Sequence, residues 1–116
     1  MQLLIAMASA EDTLNERIRA QRKKLQDIRR QLQLFNRIRP LRASIKRNLT
    51  TAKNTKDDNT LKRLKVERRN AAARIAVLEK SLTSKSSEAQ LKEQLKRQSE
   101  RLNDLNTKLR ELRTAA

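Results

Sequence analysis

The amino-acid sequence predicts an all-α protein, an elongated helical bundle or antiparallel coiled coil in which a kinked helix is followed by a helical hairpin. Three observations predict this class. The 116 residues include no glycine, the residue that tight β-hairpins and left-handed helix caps normally use. Charged residues make up 36% of the chain, alongside many alanines and leucines, which is typical of long helices. Leucine and isoleucine also recur at heptad spacing.

The first predicted helix, helix A, covers residues 11–49 and follows an apolar lead at residues 1–10. Thr13 and Glu16 have the spacing of a capping box, which satisfies backbone amides of the first helical turn. For the lead we expect a frayed start with Ser9 near the helix N-cap. A truncated secretory signal is the alternative, although the lead lacks the length and the basic start of such a signal.

Helix A carries an apolar seam with Gln21 in its one polar position. Pro40 removes a helical hydrogen-bond donor and disfavours the helical conformation of Arg39, so we expect a kink or break at 36–40. Beyond it the pattern continues at Leu41, Ile45 and Leu49. The seam before the proline consists of Leu14, Ile18, Leu25, Ile28, Leu32 and Phe35.

Two further helices are predicted, and the whole chain forms one domain. A polar loop at 50–60 precedes helix B at 61–82, and Asp57, Asp58 or Asn59 can cap that helix. A polar break at 83–87 precedes helix C at 88–114, for which Ser87 and Gln90 form a capping box. The seam of helix B consists of Leu61, Leu64, Ile75, Leu78 and Leu82, weakened in its middle by Arg68 and Ala71. The seam of helix C consists of Leu91, Leu95, Leu102, Leu105, Leu109 and Leu112, with Gln98 in one position.

Charges beside the seams favour an antiparallel hairpin of helices B and C, which would place Glu79 near Lys92 and Glu67 near Lys108, although it would also place Arg74 near Arg101. One long helix with a stutter is the alternative. The positions beside the seam of helix A are all basic, which disfavours a parallel self-dimer. We therefore expect this seam to fold onto helices B and C or to take an acidic-flanked partner helix. A helical protein partner or a homo-oligomer is expected, and no segment approaches the length of a membrane span.

Several classes of chemistry have no residues to support them. The absence of cysteine and histidine removes the usual zinc ligands, thiol nucleophiles and imidazole bases. The absence of glycine removes the glycine-rich loops that bind nucleotide phosphates. We expect neither an enzyme nor a metal or cofactor site.

The charge of the chain predicts an anionic partner. Lysine and arginine number 29 against 13 aspartates and glutamates, a formal net charge of +16. We expect nucleic acid bound without sequence specificity, in a nucleoprotein or virion-type assembly, inside a cell or within such a particle. An acidic protein surface is the second expectation, and a merely solvated face is the alternative to both. The candidate polyanion-binding residues are Arg37, Arg39, Arg42, Lys46, Arg47, Lys62, Arg63, Lys65, Arg68, Arg69 and Arg74.

Residues 45–82 resemble in outline the Rho-binding helical finger family. The resemblance lies in the Asn48-Leu49 pair, the Lys56-Asp57 loop and the spacing of the apolar residues Ile75, Leu78 and Leu82. The small Gly-Ala turn that precedes the asparagine in that family is absent, since Ile45 and Lys46 stand there. The resemblance implies a basic antiparallel hairpin that binds small GTPases, which is one form of a protein-protein adaptor without nucleic acid.

Overall fold

The computed structural model describes residues 2–115, with side chains from Ile5 onward. The chain forms three helices, α1 (Gln2–Lys53), α2 (Asp58–Lys80) and α3 (Glu88–Ala115), and the described residues contain no strand. The predicted all-α class is therefore confirmed. The chain divides into two compact units, the terminal unit (residues 1–30 with 87–116) and the central unit (residues 31–86).

Each unit is an antiparallel pair of helices to which α1 contributes one member. In the terminal unit, Glu11 forms an ion pair with Arg113 and Gln21 forms hydrogen bonds with Gln98, so α3 runs against the first half of α1. In the central unit, Arg42 pairs with Glu79, so α2 runs against the second half of α1. The seam of helix A thus folds onto the two later helices, which is the first of the two alternatives that the sequence leaves open.

The structure corrects the predicted pairing of helices B and C with each other. Glu79 lies 2.6 Å from Arg42, and Lys92 lies 3.6 Å from Glu88 on its own helix, so these two residues do not form the expected contact. Glu67 lies beside Arg63, one turn earlier on α2. The reason is the length of α1, a single helix of 52 residues that offers each of the shorter helices a partner along its whole length.

The predicted break at Pro40 is wrong, because α1 continues through this residue without interruption. Pro40 withdraws one backbone donor from the helix, a local penalty of about 3 kcal/mol in a helix interior. Ile38 is only 1% exposed in the same turn, and Leu41 and Ile45 are half-buried. Burial of Ile38, which contributes about 1.5–3 kcal/mol for a fully buried side chain, and partial burial of Leu41 and Ile45 offset the loss.

The start of α1 also differs from the prediction, since the lead at residues 2–10 is helical. Ser9 is therefore inside the helix and does not cap it. The Thr13–Glu16 capping box does not form, because the Thr13 hydroxyl donates to the Ser9 carbonyl one turn earlier, at 3.0 Å. This bond is the usual alternative for a threonine within a helix.

The caps of the two later helices match the sequence closely. Asp57 is the N-cap of α2, and its carboxylate accepts hydrogen bonds from the backbone amide and the hydroxyl of Thr60. Ser87 and Gln90 form the predicted capping box at the start of α3, with reciprocal bonds of 2.8 and 3.2 Å. The loop before α2 is shorter than predicted, since α1 ends at Lys53 and α2 begins at Asp58.

The core follows the predicted seams in both units. All 17 apolar seam residues named above in the pre-proline part of helix A and in helices B and C are buried or half-buried. Leu49 departs from the expected pattern and is 46% exposed. The sequence pattern missed two buried residues of α1, Ile38 and Gln31. Gln31 is satisfied within the central unit, because its amide nitrogen donates to the Thr83 hydroxyl and its oxygen accepts from the Thr83 backbone amide.

Candidate polyanion-binding face

The positive charge of the chain is concentrated in the central unit. This unit holds 15 basic and four acidic residues, a net charge of +11, whereas the terminal unit carries +5. All 11 candidate polyanion-binding residues lie in the central unit. The antiparallel pairing of α1 and α2 therefore brings together two basic stretches that are separated in the sequence by the 54–57 loop.

The ion pair between Arg42 and Glu79 marks one side of this helix pair. At about 100° of rotation per residue, Arg39, Lys46 and Lys53 lie within about 60° of Arg42 around the axis of α1. All of these residues are exposed. Arg39, Lys46 and Lys53 are seven residues apart, so they form a column along α1 with steps of about 10 Å.

The neighbouring helix continues the same side. Lys65 and Arg69 lie within about 80° of Glu79 around the axis of α2, in the direction that turns away from the interface with α1, and Lys62 and Lys80 follow at about 100°, on the outer surface of α2. We call the eight basic residues on this side the basic face: Arg39, Arg42, Lys46, Lys53, Lys62, Lys65, Arg69 and Lys80. Asp58 and Glu79 are its acidic residues, and Glu79 is already paired with Arg42. This side therefore presents an excess of six positive charges.

Two members of the basic face, Lys53 and Lys80, are not among the candidates that the sequence predicts. Each stands at the last residue of its helix, outside the densest stretch of basic residues. The spacing of Lys53 seven residues after Lys46 was the available signal, because residues at this spacing share one side of a helix.

Several sequence candidates lie elsewhere on the central unit. Arg37 and Arg74 line a groove on the opposite side of the helix pair. Arg63 lies one turn from Glu67, with 3.9 Å between the Arg63 Nε and Glu67 Oε1 atoms. Arg47 points away from α2, on the outer surface of α1 by helical spacing. These residues add to the field of the unit but do not belong to the basic face.

Arg68 holds the two helices together. Its guanidinium donates a 2.7 Å hydrogen bond to the Asn48 side-chain oxygen, and the Asn48 amide donates to the Leu64 carbonyl at 3.0 Å. Arg68 is half-buried, in line with its position on the seam of helix B. A half-buried guanidinium that is hydrogen-bonded within the protein helps to hold the helices together. It contributes less to binding of a polyanion than an exposed guanidinium does.

Other kinds of site find no support in the part of the chain that the structure describes. Residues 2–115 contain no group of three or more acidic, histidine or cysteine side chains that could hold a metal ion. Among the described helices, none is long and apolar enough to cross a membrane.

Comparison with protein-family models, curated proteins and solved structures finds no match to this chain. No family model therefore supports the resemblance of residues 45–82 to the Rho-binding finger family. The hairpin which that resemblance implies is present, since α1 and α2 are joined by the short 54–57 loop.

Proposed function

We propose that this protein is a non-enzymatic, basic helical scaffold that binds nucleic acid without sequence specificity, as a component of a nucleoprotein or virion-type assembly. The observation that carries the proposal is the basic face of the central unit. Eight lysines and arginines from two helices share this side, against two acidic residues. Keeping a leucine-rich helix pair in solution requires no bias toward one sign of charge, and this side is strongly biased toward positive charge.

The physical basis of binding would be neutralisation of phosphates. Duplex DNA carries about one negative charge per 1.7 Å of its axis, so a line of basic side chains meets several phosphates at once. The residues Lys62, Lys65 and Arg69 are three and four positions apart on α2, which corresponds to rises of about 4.5 and 6 Å. Each contact releases condensed counterions, which gives an affinity that falls steeply with salt.

Sequence specificity is not expected from this arrangement. Reading of base edges requires an element that enters a groove and presents polar side chains to the bases. The basic face consists of long, flexible side chains on the flanks of a helix pair, and such side chains suit phosphate contacts. The chain has one aromatic residue, Phe35, which is half-buried in the seam, so it offers no stacking platform for unpaired bases.

A titration of the full chain with random-sequence duplex DNA and with single strands, at 50 and 200 mM salt, tests the proposal. We expect binding to both forms with similar affinity for unrelated sequences. With four phosphate contacts, the affinity for duplex should fall about a hundredfold between the two salt concentrations. Absence of binding at 50 mM salt, or binding that depends strongly on sequence, would contradict the proposal.

A further inference from the structure

The side of the central unit opposite the basic face has a different chemical character. A groove of about 600 Å³ lies there between α1 and α2. Its floor and walls are apolar, formed by Pro40 and Leu41 from α1 and by Ala73, Val77 and Leu78 from α2. The two sides of one helix pair therefore present a charged face and an apolar groove.

The composition of α2 beside the groove exceeds what packing on α1 requires. Seven of the eight residues from 71 to 78 are apolar, yet Ile75 alone among them is buried. Val77 is 65% exposed. A helix that is apolar on more than one face has more than one surface to cover, and a contiguous exposed apolar patch typically marks an interaction site.

The rim of the groove indicates what covers it. Arg37 on α1 and Arg74 on α2 line the groove from its two sides, and both are exposed. Among the described residues neither has an ion-pair partner. Guanidinium groups bind carboxylates through two parallel hydrogen bonds, so this rim complements aspartate or glutamate side chains.

A second copy of the chain does not fit this site. The central unit carries a net charge of +11 and the terminal unit +5, so either unit of another copy would bring like charges to the arginine rim. A nucleic-acid backbone does not fit either, because its phosphates would have to leave water for an apolar floor.

We propose that this groove is the docking site for one amphipathic helix of an acidic protein partner. Apolar side chains of that helix, spaced at i, i+4 and i+7, would fill the groove between Leu41 and Val77. Aspartates or glutamates on its flanks would pair with Arg37 and Arg74. The site lies on the opposite side of the unit from the basic face, so this proposal stands or fails independently of nucleic-acid binding.

A stapled helical peptide tests the proposal on the full chain by fluorescence anisotropy at physiological salt. The peptide carries leucines at i, i+4 and i+7 with glutamates on both flanks, and the control peptide has the same composition in scrambled order. We expect one peptide per chain and an affinity at least about tenfold higher than for the scrambled peptide. Equal binding of both peptides would show that only charge attracts them, and it would overturn the proposal.

Paired variants locate the binding. Val77→Asp places a carboxylate in the groove and should weaken binding of the stapled peptide about tenfold or more. Val66→Asp is the matched control, because Val66 is a valine of the same helix, 54% exposed and outside the groove. It should leave the affinity unchanged. Equal effects of the two variants would contradict docking in the groove.

Two additional measurements distinguish a loss of docking from a disturbed helix and from self-association. The chain has no cysteine, so an environment-sensitive dye can be attached at Ala73→Cys, which lines the groove, without the need for Val77→Asp. Addition of the peptide should shift its emission to shorter wavelength, and no shift would contradict the proposal. A dimer that Val77→Asp dissociates, seen by light scattering, would assign the groove to a second copy and overturn the proposed partner.

Discussion

Gln21 of α1 and Gln98 of α3 meet inside the terminal unit, where the Gln21 amide nitrogen lies 2.7 Å from the Gln98 side-chain oxygen and 2.9 Å from the Gln98 carbonyl. Gln21 is 7% exposed, although its neighbours along the seam are apolar. A polar pair within an apolar seam holds one register, because a slip of either helix would leave an amide buried without a partner.

Replacing both glutamines by leucine tests this relationship. The double variant Gln21→Leu/Gln98→Leu should be at least as stable as the natural chain, because two apolar side chains replace a polar pair of similar size. The single variant Gln21→Leu should be about 1–2 kcal/mol less stable than the double variant, since Gln98 then loses its partner. Denaturant unfolding of the three chains measures both differences, and strictly additive single effects would contradict the coupling.

Ile38 is the second residue whose role can be tested by stability. At 1% exposure it is the least exposed apolar side chain of the core, and Ile38→Ala should cost about 2–4 kcal/mol. Val77→Ala removes apolar atoms from a surface position and should change stability by less than about 0.5 kcal/mol. Similar losses in the two variants would show that α1 and α2 do not pack through Ile38.

Pro40 provides a test of the unbroken helix. Because Pro40 lies inside α1, Pro40→Ala restores a helical donor and should stabilise the protein, by up to about 3 kcal/mol. Its helicity by circular dichroism should rise slightly or remain constant. A loss of stability would show that the chain near residue 40 has the kinked conformation that the proline alone would favour.

Asp57 gives the chain an expected pH dependence. Hydrogen bonds from the Thr60 hydroxyl and amide lower the pKa of the Asp57 carboxyl below its usual value of 3.8. A carboxyl with a lowered folded-state pKa stabilises the fold above its unfolded-state pKa and loses that contribution as the pH falls through the folded-state value. Stability should therefore decline below about pH 3.8 in part through this cap.

The control for this cap is Asp57→Asn, which keeps an N-cap oxygen but cannot titrate. Thermal melts from pH 6 to pH 2 should show a shallower decline for Asp57→Asn than for the natural chain. Asp57→Ala should lower the melting temperature at neutral pH, where Asp57→Asn changes it little. Identical pH profiles for all three chains would mean that Asp57 does not cap α2 in solution.

Much of the helical structure follows from local sequence. The sequence predicts helix C at 88–114 and α3 spans Glu88–Ala115, because the Ser87–Gln90 box defines its start without ambiguity. The sequence predicts helix B at 61–82 and α2 spans Asp58–Lys80. Caps and heptad spacing act between residues less than two turns apart, so they can be identified from the chain itself.

The pairing of the helices could not be predicted with the same means. All three seams are rich in leucine, so spacing alone does not say which seam meets which. The polar positions of the seams indicate which helices pair, since Gln21 and Gln98 each interrupt a seam and pair with each other in the structure. Continuity of α1 through Pro40 was missed for a related reason, because the packing that offsets the proline comes from residues distant in the sequence.

The candidate site, too, has a part that follows from local sequence and a part that depends on the packing of the helices. The sequence identified 11 basic residues within one stretch, and all of them lie in the central unit. It did not divide them between two sides, because the sides are defined by contacts such as Arg42 with Glu79. Arg69 lies on the basic face, Arg74 on the rim of the groove and Arg63 beside Glu67, although all three are exposed arginines of one helix.

The salt dependence of duplex binding in two charge-matched variants tests the central claim most directly. Lys46→Glu/Lys65→Glu/Arg69→Glu reverses three positions of the basic face, and Lys23→Glu/Lys96→Glu/Arg110→Glu reverses three exposed positions of the terminal unit. Both variants have the same net charge. We predict that the first variant loses about three units from the slope of log affinity against log salt, and the second keeps most of the slope. Equal losses in the two variants would show that net charge, and not the basic face, attracts nucleic acid.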